Sequence, residues 1–177
     1  AMDLAITLDA RPIAGNAALF EPLEARLQVL GGDERLLHAM AAAVLQFESP
    51  LSLFGQLRQD ERGVDLKRGG IFPIVHGLRC LALKHGINQR NSFARCEALV
   101  QAGGLDPALG RDLDQTLAVL QRLRLDAQLA TLDAGGVPDN FLHPAALRRL
   151  DRELLRDALR VVKAFQQHVR GVFHLND

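Results

Sequence analysis

The stretch Ile71-Phe72-Pro73-Ile74-Val75-His76-Gly77-Leu78-Arg79-Cys80-Leu81-Ala82-Leu83, in which only His76 and Arg79 are polar, narrows the fold more than any other part of this sequence. A helix that is apolar on every side must be surrounded by other elements. This one falls short of the roughly 20 residues that cross a bilayer, so it belongs at the centre of a helical bundle. The rest of the chain supplies the surrounding helices. There are 33 Leu against 19 Val, Ile and Thr together, and no Tyr or Trp to cover a sheet. The fold class expected is therefore all-α, an antiparallel helical bundle.

Punctuation along the chain gives the expected elements. Leu4-Ala5-Ile6-Thr7-Leu8-Asp9 reads as one short N-terminal strand, which needs a partner outside itself. Helices are expected over 16–30, stopped by Gly31-Gly32, and over 34–47, capped by Asp33 and ended by Glu48-Ser49-Pro50. A turn of helix fits 51–57, and the charged, glycine-containing stretch 59–70 reads as a loop. Further helices are expected over 71–85, closed by Gly86, and from Asn91 or Ser92 to 102, closed by Gly103-Gly104. Asp106-Pro107 opens a long helix to 132, and Pro144 opens the last, to 173. The apolar stripe of that last helix is read as Leu147, Leu150, Leu154, Ala158, Val161, Phe165, Val169 and Val172.

Equal numbers of basic and acidic residues, 21 each, argue against a nucleic-acid coat. No apolar run is long enough for a membrane span, and no basic-then-apolar leader opens the sequence. Cys80 and Cys96 lie in apolar helical patterns, which suits a reduced, cytoplasmic setting. The six histidines form no i, i+4 pair, so no metal site is expected. Ala1 ahead of Met2 reads either as a tag remnant or as the start of a piece cut from a longer protein.

His76 and Arg79, three apart, project from one side of the apolar helix. A guanidinium there needs a counter-charge, either an internal carboxylate such as Asp65 or Asp139 or an anionic ligand. Just upstream, Val64-Asp65-Leu66-Lys67-Arg68-Gly69-Gly70 brings basic residues and paired glycines to a helix N-terminus, where free amides and the helix dipole favour anions. It is not a P-loop, because the required Gly-Lys spacing is absent. The basic stripe Arg149, Arg152, Arg156, Arg160 and Lys163 reads as a solvated face paired locally with Glu153 and Asp157. Gly103-Gly104 followed by Asp112-Leu113-Asp114 imitates a nucleotidyltransferase signature, but in a helical pattern the two carboxylates stand about 200° apart and cannot share a metal.

The block from Val64 to Arg79, continued by Ala82-Leu83 and Gly86-Ile87, resembles the nucleotidyltransferase substrate-binding domain family, a helical region that follows a nucleotidyltransferase domain in bacterial signalling proteins. Asp9-Ala10-Arg11-Pro12-Ile13-Ala14-Gly15 is similar to the segment after the last strand of that catalytic domain. Pro50-Leu51 with Phe54-Gly55, Asn91-Ser92 with Arg95, Leu123-Arg124-Leu125 with Gln128, and Pro138-Asp139-Asn140 extend the similarity. The resemblance implies that 1–15 is the end of the upstream catalytic domain and 16–177 the helical domain, with Asp9 near a third catalytic carboxylate. It implies a substrate-binding or regulatory domain, often accompanied by cyclic-nucleotide-binding and CBS domains, that takes a nucleotide or an acidic protein substrate and is not catalytic alone. No cofactor is expected in this chain, with magnesium required only by the catalytic domain. Lys67 and Arg79 would bind phosphate or an acidic partner, His76 would support them, and Asp65, Asp139 and Asn140 would orient them. The alternative is a docking module whose apolar faces meet the catalytic domain or a second copy, as a homodimer, without ligand.

Overall fold

Why the apolar stretch is central is clear from its neighbours in the computed structural model, which describes residues 2–52, 56–58 and 60–175. Helix α4 (Phe72–Lys84) packs against α3 (Glu34–Ala42), α5 (Ser92–Gln101) and α7 (Arg149–Val172). Ile74, Leu78, Cys80 and Leu81 are completely or almost completely shielded from solvent. The long helix α6 (Pro107–Asp133) lies along α7 and also touches α5. The close fit of α4 to α7 depends on Gly77: a Cβ there would stand 2.5 Å from Cε1 of the buried Phe165 ring.

The expected caps hold where the helices begin. Asp33 accepts from the Leu36 amide, and Asp106 from the amides of Ala108 and Leu109. Of the two candidates before α5 it is Asn91 that caps, accepting from Phe93 and Ala94. Helix α2 is shorter than its sequence pattern, Glu21–Val29 flanked by 3-10 turns, and α3 likewise gives way to a 3-10 turn at Ala43–Leu45.

Four local expectations are corrected. The N-terminal segment is not a strand but a short helix, α1 (Met2–Thr7). Alternation would have buried Leu4, Ile6 and Leu8 together; instead Ala5 is buried with Leu4 and Leu8 beside it, and Ile6 is 66% exposed. Coiling satisfies the segment's own amides, the Leu8 amide donating to the Leu4 carbonyl at 2.9 Å, and Thr7 Oγ1 donates to the Asp3 carbonyl at 2.8 Å. Second, the presumed loop 59–70 contains β1 (Val64–Asp65), paired antiparallel with β2 (Phe141–Leu142), and a π-type turn, Lys67–Ile71, that leads into α4. Third, the stretch 51–57 is bounded by an antiparallel bridge between Leu51 and Leu57, and its middle lies outside the described residues.

Fourth, Pro144 opens a separate 3-10 turn, Pro144–Ala146, and α7 starts only at Arg149. Its buried face is Leu155, Ala158, Leu159, Val162, Phe165, Gln166 and Val169. Ala158, Phe165 and Val169 of the stripe read from spacing lie on it and Leu147, Val161 and Val172 pack at its margin, whereas Leu150 and Leu154 are exposed. The polar member of that face is accommodated: Gln166 Nε2 donates to the carbonyls of Val44 at 2.9 Å and Phe47 at 3.0 Å. Among the described residues no helix is long and apolar enough to cross a membrane.

Candidate functional site: a paired-arginine cleft

Helix α4 carries His76 and Arg79 one turn apart on the side that faces α3 and the N-terminal segment. His76 is 2% exposed, and its Nε2 lies 2.9 Å from the Met40 carbonyl. A carbonyl only accepts, so Nε2 carries the proton and Nδ1 is left with a lone pair, which accepts from Arg79 Nη1 at 3.0 Å. Burial holds the His76 pKa below its ordinary value, an effect only partly countered by the Met40 hydrogen bond and assisted by the Arg79 charge. The imidazole is thus a neutral strut between the α3 backbone and the guanidinium.

The remaining donors of Arg79 meet Asp9. Nε is 3.0 Å and Nη2 2.5 Å from Asp9 Oδ2. The other oxygen of that carboxylate, Oδ1, accepts from Arg95 Nη2 on α5. Burial alone would push the Asp9 pKa up, but the hydrogen bonds and charges of Arg79 and Arg95 outweigh it and hold the carboxyl below its ordinary range. The Arg95 side chain is 4% exposed, that of Arg79 14% and that of Asp9 29%. Arg95 is the member that sequence reading passed over as a site residue, and a guanidinium one position before the buried Cys96 was the available signal.

Arg79 and Arg95 line a narrow cleft whose walls are Leu27 of α2, Leu83 of α4 and residues 86–90. Its free volume is about 40 Å³. At its edge Arg90 donates to the Ala10 carbonyl at 2.8 Å and to Glu24 at 2.7 Å, and Asn88 also donates to Glu24. Three guanidiniums therefore face two carboxylates, and the site carries an excess positive charge.

The other four predicted site residues lie elsewhere, around the β1–β2 ladder. Asp65 caps the π-type turn by accepting from the Arg68 amide at 2.9 Å. Asn140 accepts from Arg124 Nε at 2.8 Å and its carbonyl accepts from the Leu66 amide at 3.0 Å. Asp139 accepts from the Phe141 amide, while its carbonyl takes the Gln128 side chain. Neither Asp65 nor Asp139 is the partner of Arg79, and neither they nor Asn140 orients it; the partner is Asp9. Lys67 is exposed, roughly 15–18 Å from Arg79 along the same helical run.

The remaining chemistry of the chain is quiet. The basic stripe on α7 pairs locally, Arg156 with Glu153 and Arg160 with Asp157, as expected. Cys80 and Cys96 are free and buried, and burial pushes both thiols up to about 12, with Asp114 adding to the effect at Cys96. Asp112 and Asp114 sit inside α6. Among the described residues no cluster of three His, Cys, Asp or Glu side chains could hold a metal ion.

Residues 34–173 match the family described as "Putative nucleotidyltransferase substrate binding domain", and the chain belongs to that family. His76, Arg79 and Arg95 fall within the matched residues, whereas Asp9 comes from the segment before them. Among curated proteins the chain is 32% identical over 154 residues to a biotin synthase of Corynebacterium glutamicum (strain R), covering 78% of this chain and 45% of that protein. It is 31% identical over 150 residues to a biotin synthase of Salinispora arenicola, again covering 78% and 45%. The chain thus spans about half the length of the curated relatives it matches. No solved structure matches it.

Proposed function

We propose that this chain is the substrate-binding and regulatory helical part of a nucleotidyltransferase-like bacterial signalling protein, and that Arg79, positioned by His76, binds a nucleotide or an acidic partner. The observation that carries the reading is a pair of largely buried arginines, Arg79 and Arg95, brought from two helices to one cleft and sharing a single carboxylate. Buried guanidiniums are expensive unless something anionic meets them, and Arg suits planar or tetrahedral oxyanions. Family membership supports the same direction. In this reading the domain works beside an upstream nucleotidyltransferase domain in the cytoplasm, is not catalytic alone, and leaves magnesium to that domain. Cyclic-nucleotide-binding and CBS domains are the expected company. Lys67 is the peripheral basic contact, with Asp65, Asp139 and Asn140 holding the turn that carries it.

A second reading, docking or homodimerisation without ligand, is favoured by a different observation. Leu125, Leu129 and Leu132 on α6 are about half exposed, and Leu150 on α7 is 77% exposed. Isothermal titration of the chain with ATP, AMP and cyclic AMP separates the two. Saturable binding that Arg79→Ala abolishes supports the first reading. Absence of binding, together with a concentration-dependent mass in light scattering that Leu129→Glu reduces, supports the second.

A further inference from the structure

We propose that the Arg79–Arg95 pair is a phosphate-group site in which Asp9 is a built-in occupant, so that a phosphate-bearing ligand enters by exchange with Asp9 and frees the N-terminal helix α1. The inference rests on the substrate-binding reading and specifies how that site is filled.

Three observations carry it. The first is unspent donor capacity: Nε and Nη1 of Arg95 are buried and meet no acceptor among the described residues, although the side chain lines the cleft. Buried donors without partners are costly, and a guanidinium offers five. The Asp9 carboxylate takes only one N–H from Arg95. A phosphate group brings three acceptor oxygens in a tetrahedral array and a charge near −2, so it meets more of these donors at once. It also suits a site where Arg79, Arg90 and Arg95 face only Asp9 and Glu24.

The second observation is space. Ligand pockets run to roughly 300–1,000 Å³, whereas the cleft beside the two arginines has about 40 Å³ free, and the Arg79 and Arg95 donors next to it are already taken by Asp9. A phosphate-bearing ligand therefore needs the carboxylate to leave. The third is that Asp9 is able to leave. It follows a helix of six residues that buries Ala5 and only partly buries Leu4 and Leu8, and it comes from outside the span that matches the family. With so few buried apolar contacts, what holds the segment is chiefly the pair of Asp9 ion contacts, and these are the contacts that an incoming phosphate replaces.

Exchange predicts opposite effects of ligand on two parts of the chain. Inorganic phosphate, AMP and ATP are titrated into the wild-type chain while hydrogen–deuterium exchange is followed. Bound ligand should slow exchange in α4 and α5 and speed it by at least about threefold at residues 5–10, where the Leu8, Asp9 and Ala10 amides are now hydrogen-bonded. Asp9→Asn, which keeps the shape and removes the competing charge, should bind the same ligand about tenfold or more tightly, because the competent state no longer has to be populated first. Arg95→Met should lose binding. Ligand that binds in an Arg79-dependent way while residues 5–10 stay protected overturns the exchange and leaves the substrate-binding reading standing, as does Asp9→Asn binding equally or more weakly. No binding of any of the three probes to either wild type or Asp9→Asn overturns both.

Discussion

A single carboxylate, Asp9, ties three elements together, because α4 and α5 each send an arginine to it and it stands at the end of α1. Replacing it by Ala leaves two guanidiniums facing each other, one of them 4% exposed, and should cost about 3 kcal/mol in chemical unfolding. Adding phosphate should recover part of that loss. His76 gives the site a pH dependence with a definite sign. Its pKa is depressed in the fold, so below the unfolded value of 6.5 the unfolded chain binds a proton that the folded chain does not. Stability is thus fully present above that pH and declines as pH falls through it; His168, also depressed by burial, acts in the same direction. The depressed carboxyl of Asp9 adds a second decline below its ordinary value of 3.8. Thermal unfolding between pH 8 and 5 should show the first decline, and His76→Gln should reduce it to the part that His168 contributes.

Among the elements, α3, α5 and α6 were legible because helix periodicity and a side-chain cap agree there, Asp33, Asn91 and Asp106 capping as their spacing requires, and α4 because it is apolar throughout and closed by Gly86. The failures have local causes. In Leu4-Ala5-Ile6-Thr7-Leu8 alternation groups Leu4, Ile6 and Leu8 while an i, i+1, i+4 helical face groups Leu4, Ala5 and Leu8, and five residues are too few for periodicity to separate the two. On α7, Leu154 and Leu155 are equally apolar neighbours about 100° apart, so spacing cannot say which faces inward, and the reading fails at Leu150 and Leu154 while Ala158, Phe165 and Val169 are buried as expected. That assignment is testable: Leu155→Ala should cost about 2–5 kcal/mol and Leu154→Gln less than about 1. Gly77→Ala should destabilise by about 1–2 kcal/mol, since the crowding against Phe165 exceeds the gain in helix propensity. Half of the candidate site was legible as well. An isolated polar pair on an apolar helix pointed to His76 and Arg79, but their partners come from residues 9 and 95, and no local pattern encodes which distant carboxylate a buried arginine will meet.

On the scale of the whole molecule, the family's helical domain supplies the arginines and the segment before it supplies the anion. On the exchange proposed above, ligand occupancy and the position of the N-terminal segment would change together. The central claim, that the Arg79 site receives a phosphate-bearing ligand, is most directly tested by thermal unfolding of the wild-type and Arg79→Lys chains against a panel of nucleoside mono- and triphosphates. A ligand at one hundred times its dissociation constant adds about 2.7 kcal/mol, or about 5–10 °C for a domain of this size. Such a rise is expected with at least one nucleotide for the wild type, and less than half of it for Arg79→Lys. Equal rises in both chains, or none in the wild type with any nucleotide, would contradict the claim.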